Sequence, residues 1–216
     1  MKASYMAFLA ITVWFALGLQ FYISTVKYMA DGRTFGGAIV QLLSYFTIQN
    51  NILIALSLTV ILLWPASVWA KFFSKFETLT AMVLYITIVG LVYQLILRQQ
   101  GTKYGLFKLA DEIFHSVSPV LFILFWLFFV PKGNLQWSKA FTWLIYPLIY
   151  LIYILIRGAV SGFYPYNFID ANLISYQQMA INAVLLLFAF LAVGTFFIAI
   201  DRFLKKEIIL HHHIKY

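Results

Sequence analysis

Three side chains of the types that acyl transfer uses fall in or beside long apolar runs of this chain. His115 is the only ionisable group well inside such a run. Asp111 precedes it by four residues, one turn away on the same helical face, with Ser118 three residues beyond. Thr47 lies in a second run, beside Asn50 and Asn51. Ionisable groups are expensive inside lipid, so His115 marks a candidate site. A carboxylate at i−4 can orient the imidazole, fix its tautomer and stabilise the imidazolium. A threonine hydroxyl becomes a nucleophile only beside a general base. A plainer reading stands next to the chemical one. Ser, Thr and Asn cross-link membrane helices at roughly 0.6–2 kcal/mol each, and a threonine hydroxyl readily bonds its own helix. Ser44, Thr47 and Asn51, at i, i+3 and i+7, would stripe one helical face, with Asn50 at its edge and Gln49 pointing elsewhere. Asp111 and Glu112 suit the first turn of a helix. His115, about a turn and a half in, is too deep for capping, and Pro119 frees a backbone carbonyl near it.

The elements that must position these groups are membrane spans. Of 216 residues, 63% are hydrophobic and 10% charged, with mean hydropathy +0.90, whereas soluble domains carry about 25% charge. Six apolar stretches are long enough to cross a bilayer: Tyr5 to Val26, Ile39 to Trp64, Leu79 to Leu97, Ile113 to Val130, Phe141 to Ile156 and Met179 to Ile200. Helices are expected because lipid cannot satisfy open backbone groups, and barrel alternation is missing. The expected fold is all-α: one polytopic domain, residues 1–216, with six transmembrane helices. The N-terminal run is too long for a signal peptide and reads as the first span. No internal repeat is visible. There is no cysteine, which excludes disulfides and thiolate chemistry.

Of the fifteen Lys and Arg residues, nine fall on one side: Lys2, Lys71, Lys75, Lys132, Lys139, Arg202, Lys205, Lys206 and Lys215. That bias favours both termini in the cytoplasm. The formal charge of +8 then belongs beside headgroups; no nucleic-acid motif accompanies it. With that orientation Thr47, His115 and Arg157 all fall in the outer half. Thr47 would lie about eight residues and His115 about four below their outer ends, roughly 6 Å apart in depth.

The loop after the fifth span holds Arg157, a Gly158/Gly162 pair that suits close helix approach, and the aromatic run Tyr164-Pro-Tyr166-Asn-Phe168 of an interfacial belt. Arg157 suits an anionic headgroup, a carboxylate or Asp170, or belongs to an ordinary interfacial loop. His211, His212 and His213 read as a solvated or interfacial tail rather than a metal site, and Asp201-Arg202 as boundary charge. Neither a cofactor nor a metal is implied.

Several strings together resemble a known family: Tyr45-Phe-Thr47-Ile-Gln49-Asn50-Asn51, Asp111-Glu-Ile-Phe-His115-Ser-Val-Ser-Pro119, Trp143-Leu-Ile-Tyr-Pro147-Leu-Ile-Tyr150, Gly162-Phe-Tyr164-Pro165-Tyr166-Asn-Phe168-Ile-Asp170 and Ile200-Asp201-Arg202. The chain resembles the Pr6Pr proteins, six-transmembrane proteins of bacteria related to the FAR-17a/androgen-induced-gene-like family. The resemblance implies an intramembrane hydrolase of fatty-acid esters in the bacterial inner membrane, with Thr47 as nucleophile and His115 as base. Around that pair, Asp111, Asn50 and Asn51 are expected to support or supply oxyanion donors. Arg157, Tyr164, Tyr166 and Asp170 are expected to hold the substrate, whose class is membrane lipid or fatty-acid ester. The alternative is a lipid- or small-molecule-binding protein or transporter built on the same polar residues.

Overall fold

The computed structural model describes the main chain of residues 1–101 and 103–213, with side chains through Lys205. The side chains of Lys206, Lys215 and the His211–His213 run lie outside the described residues. All regular structure among the described residues is helical, and six helices are long and apolar enough to cross a membrane. The chain divides into two compact units, Met1–Val130 and Pro131–Tyr216.

The first unit contains α1 (Lys2–Ala30), α2 (Phe35–Leu43), α3 (Phe46–Leu63), the short α4 (Val68–Phe73), α5 (Phe76–Leu95), α6 (Gly105–Glu112) and α7 (Ser118–Phe129). A π-helical segment, Ile113–Val117, joins α6 to α7, so that Gly105–Phe129 acts as one span. Helix α1 packs on α3, α3 on α5, α5 on α7 and α7 back on α1, closing a four-span bundle. Its centre is filled by Leu9 and Val13, by Ile54 and Leu58, by Val83 and Leu84, and by Phe122 and Trp126, all fully buried. Polar groups in that core are satisfied locally. Trp126 Nε1 donates to Thr80 Oγ1 at 2.7 Å, and Thr80 donates to Phe76 O. Tyr5 on α1 donates to Leu121 O on α7 at 2.8 Å. The outer faces carry exposed Phe8, Ile11, Phe15 and Phe128, the surface a helix presents to lipid.

Two expected boundaries change, and both bear on the site. The second apolar run is not one helix. Ser44 Oγ bonds back to Val40 O at 2.7 Å, and the Ser44 and Tyr45 N–H groups reach only three residues back, tightening the end of α2. Tyr45 then turns extended (φ −82°, ψ 126°) before α3 begins. Ser44 and Thr47 therefore do not share a helical face, and the polar stripe is interrupted. Gln49 reaches back across the break, its Nε2 donating to Leu43 O at 2.8 Å. The fourth span starts earlier than its apolar run, at Gly105 rather than Ile113. Asp111 is thus well inside a helix, and its reading as a first-turn residue fails. The expected depth offset fails with it: Thr47 is the second residue of α3, level with His115.

The second unit contains α8 (Lys139–Thr142), α9 (Ile145–Ser161) and α10 (Tyr176–His213), with a 3-10 turn at Asn167–Ile169. Lys139–Ser161 and Tyr176–Lys205 are its two candidate spans. Asp201 is not boundary charge. It is 1% exposed and its Oδ2 accepts the Leu135 N–H at 3.0 Å. Arg202 Nε donates to Leu135 O at 3.3 Å and its guanidinium lies over Trp137; Lys205 Nζ donates to Gly133 O. These side chains hold the Pro131–Trp137 loop against α10. Burial pushes the Lys132 ammonium in that loop down to about 8, with the Asp201 charge partly opposing. The Gly158/Gly162 pair is also not a helix-packing motif. A Cβ at Gly158 would stand 2.0 Å from Tyr164 Cε1, so Gly158 admits a ring from its own loop. Gly162 ends α9 in the left-handed region, at φ +70°.

Candidate functional site

Thr47 and His115 meet. Thr47 Oγ1 lies 3.2 Å from His115 Nε2, with both residues buried. The other ring nitrogen, Nδ1, faces Asp111 twice: its main-chain O at 2.8 Å and its Oδ1 at 3.3 Å. Both groups are acceptors, since a carbonyl cannot donate and the carboxylate is ion-paired. Nδ1 therefore carries the proton of the neutral ring, and Nε2 presents its lone pair to the Thr47 hydroxyl, which donates. Hydroxyl, imidazole and carboxylate stand in the order of a nucleophile, its base and the group that orients the base.

Local backbone irregularity delivers each member. Thr47 sits at the α2–α3 break, in the first turn of α3. Main-chain N–H groups there, those of Thr47 and Ile48 among them, have no intrahelical acceptor. His115 is the middle residue of the π segment, where the Ser118 N–H reaches Ile113 O, five residues back. Such segments are rare and concentrate at functional sites. Pro119 contributes as expected, because it has no N–H to offer the His115 carbonyl. Helix α5 closes on this spot at Gly90, where a Cβ would lie 3.3 Å from His115 O and 3.3 Å from Pro119 Cβ.

Three contributors carry no signal of function in the sequence. The Tyr93 ring stacks on the His115 ring at 4.2 Å between centroids and 15° between planes, and its hydroxyl reaches the Asp111 carboxylate. Lys103, in the loop before α6, forms an ion pair with Asp111. Gly90 reads as one more small residue in an apolar span. A peripheral chain braces the same region: Arg98 to Glu112 at 2.6 Å, Ser116 to Glu112 at 2.8 Å, and Gln94 to Ser116 at 3.0 Å.

The amides take a different role from the one expected. Asn50 Nδ2 donates to Phe46 O at 2.7 Å and Asn51 Nδ2 to Thr47 O at 2.9 Å. Both brace the first turn of α3 and support Thr47, rather than aiming donors at a reacting oxygen. Asn51 Oδ1 and Ser118 Oγ are buried without a hydrogen-bond partner among the described residues. Each lies one turn beyond Thr47 or His115 along its helix.

The expected substrate-holding residues belong to the second unit. Arg157 stands near the end of α9 with its guanidinium 4.8 Å above the Phe163 ring. Tyr164 packs on Gly158, and Tyr166 stacks on Phe168 at 5.3 Å. Asp170 is not the partner of Arg157: its Oδ1 accepts the Asn172 N–H at 2.8 Å. No group of three or more His, Asp, Glu or Cys side chains gathers among the described residues.

The fold and this constellation define a helical protein with six helices long and apolar enough to cross a membrane and a buried Thr–His–Asp relay in its first unit. Comparison with known proteins takes that class no further: no family model, curated protein or solved structure matches the chain.

Proposed function

We propose that this chain is an intramembrane hydrolase of lipid esters, with Thr47 as nucleophile and His115 as general base. The observation that carries the reading is the 3.2 Å approach of Thr47 Oγ1 to Nε2 of His115. In the first step Thr47 Oγ attacks the ester carbonyl while its proton passes to Nε2. Asp111 then faces an imidazolium and stabilises it. The developing oxyanion is served by the positive end of α3, whose first turn holds Thr47. The tetrahedral adduct collapses, the departing alkoxide takes the proton from His115, and an acyl-threonine remains. Water, deprotonated in turn by His115, releases the carboxylic acid and restores Thr47.

The resemblance to the Pr6Pr and FAR-17a/androgen-induced-gene-like proteins supports the same roles for the same two residues. It also supports fatty-acid esters as the substrate class and a bacterial inner membrane as the location. The Lys/Arg distribution supports cytoplasmic termini, and with them a site in the outer half of the bilayer. A fluorophosphonate probe on the purified protein tests the chemistry. Labelling is expected at Thr47 and should vanish in Thr47→Ala and in His115→Ala; labelling that persists in Thr47→Ala overturns the assignment.

The second reading is a non-enzymatic lipid-binding protein or transporter. Thr47 at 7% and His115 at 8% exposure favour it, since a reacting hydroxyl needs room for substrate. It expects lipid binding that survives Thr47→Ala and no turnover of any ester.

A further inference from the structure

Arg157 lies four residues before the end of α9, inside a segment long and apolar enough to cross a membrane. A guanidinium in such a place ordinarily finds a carboxylate or backbone carbonyls. This one finds neither among the described residues. Its only recorded side-chain contact is the face of Phe163, at 4.8 Å, and Nη1 is sealed from solvent with no acceptor. Asp170, the nearest carboxylate in sequence, is committed to Asn172. An arginine that merely snorkels keeps its nitrogens in water, whereas Nη1 here is covered by protein.

The surroundings are a built structure. Asn172 Nδ2 donates to Gly162 O at 3.1 Å, and Asn182 Nδ2 donates to Phe168 O at 2.8 Å. Ile169 is buried, and Gly158 seats Tyr164 beside Arg157. The loop therefore holds Phe163 beneath the guanidinium while leaving the fork of N–H donors unused. A flat guanidinium on an aromatic face matches a carboxylate or phosphate, which it can engage with two parallel hydrogen bonds. One and two turns back along α9, Tyr153 and Ile149 stand on the same face as Arg157, and both are exposed. An oxyanion at Arg157 would thus have an apolar track leading from it toward the middle of the span.

We propose that Arg157 anchors the headgroup of a bound anionic amphiphile, taking its carboxylate or phosphate while the hydrocarbon chain lies along Tyr153 and Ile149. The proposal does not rest on the Thr47 chemistry. The two sources of the oxyanion, a free fatty acid and a phospholipid, are separated by the choice of probe.

The test is thermal unfolding of the full-length protein in an uncharged maltoside detergent. The additions are oleate, dioleoyl phosphatidylglycerol, oleyl alcohol or inorganic phosphate. Oleate, phosphatidylglycerol or both should raise the unfolding temperature in a saturable way, while oleyl alcohol and phosphate should not. Oleate alone identifies a carboxylate site and phosphatidylglycerol alone a phosphodiester site. Arg157→Gln should weaken the response roughly tenfold, the worth of a charge-assisted pair. Arg157→Lys keeps the charge without the fork and should give an intermediate response, which also serves if Arg157→Gln fails to fold. An undiminished response in either variant overturns the proposal. So does an equal response to oleyl alcohol, a response to phosphate alone, or no response to either anionic amphiphile.

Discussion

His115 and Arg157 both lie inside segments long and apolar enough to cross a membrane, and they are provisioned in opposite ways. Each nitrogen of His115 has a partner, its ring is stacked on Tyr93, and its carboxylate is tied to Lys103. Arg157 has one aromatic face and no acceptor. The helices that carry them differ in the same sense. In the Gly105–Phe129 span that holds His115, 44% of the window is buried; in the Lys139–Ser161 span that holds Arg157, 22% is. A closed polar relay in a packed bundle is suited to chemistry, because its geometry is fixed before substrate arrives. A guanidinium without an acceptor, on a less buried helix, is suited to capture, because its partner must come from outside.

Substitutions at the two places should therefore fail differently. The largest effect belongs to the relay: Thr47→Ala or His115→Ala should lower ester turnover by about 10³-fold or more, measured on a fluorogenic acyl ester in detergent. Asp111→Asn should cost less, about 10²-fold, because the Asp111 main-chain carbonyl remains at 2.8 Å to hold the Nδ1–H tautomer. A loss as large as that of His115→Ala would mean that the carboxylate alone orients the ring. Stability sharpens the contrast. His115→Ala leaves Asp111 and Thr47 short of partners inside the bundle and should cost about 2 kcal/mol in unfolding measurements, whereas Arg157→Gln removes no hydrogen bond, only the stacking on Phe163, and should stay within about 1 kcal/mol. Gly90→Ala should destabilise by about 1 kcal/mol, since the new methyl meets His115 O and Pro119 at 3.3 Å. The smallest effect lies in the second unit. Burial lowers the folded-state pKa of Lys132 to about 8, against about 10.4 in an unfolded chain. The folded protein binds that proton less tightly, so the penalty is complete below pH 8 and fades as pH rises toward 10.5. Unfolding temperature should climb modestly over that window in the native chain, and Lys132→Met should flatten the climb.

The span count was legible because apolar length alone sets it, and the strings around Thr47 and His115 held the relay. The sequence-derived boundaries misled where polar residues are satisfied within the chain. Asp111, Glu112 and Lys108 look like the outside of a membrane, so the fourth span was cut short at Ile113. Ser44 looks like one more member of a polar face, yet its hydroxyl bonds its own backbone and helps end α2. These two errors together gave Thr47 and His115 different depths. Tyr93 and Gly90 could not be singled out at all, since their importance depends on which helix face meets the π segment. Arg157 stood out as a cation at the end of an apolar run, but the bond between Asp170 and Asn172 depends on the fold of the loop.

The π segment around His115 has a consequence for how this relay tolerates insertion and deletion. A π turn is an α turn with one residue added, and removing that residue would heal the helix rather than break it. The α-helical ladder would then run from Gly105 to Phe129 with a gap only where Pro119 lacks an N–H. Residues 105–116 would nonetheless be rotated by about 100° relative to the part anchored at Pro119, carrying His115 and Asp111 off the line of Thr47. Register, rather than composition, joins the imidazole to the hydroxyl, so a single-residue deletion between Ser116 and Pro119 would keep all three side chains and still uncouple them.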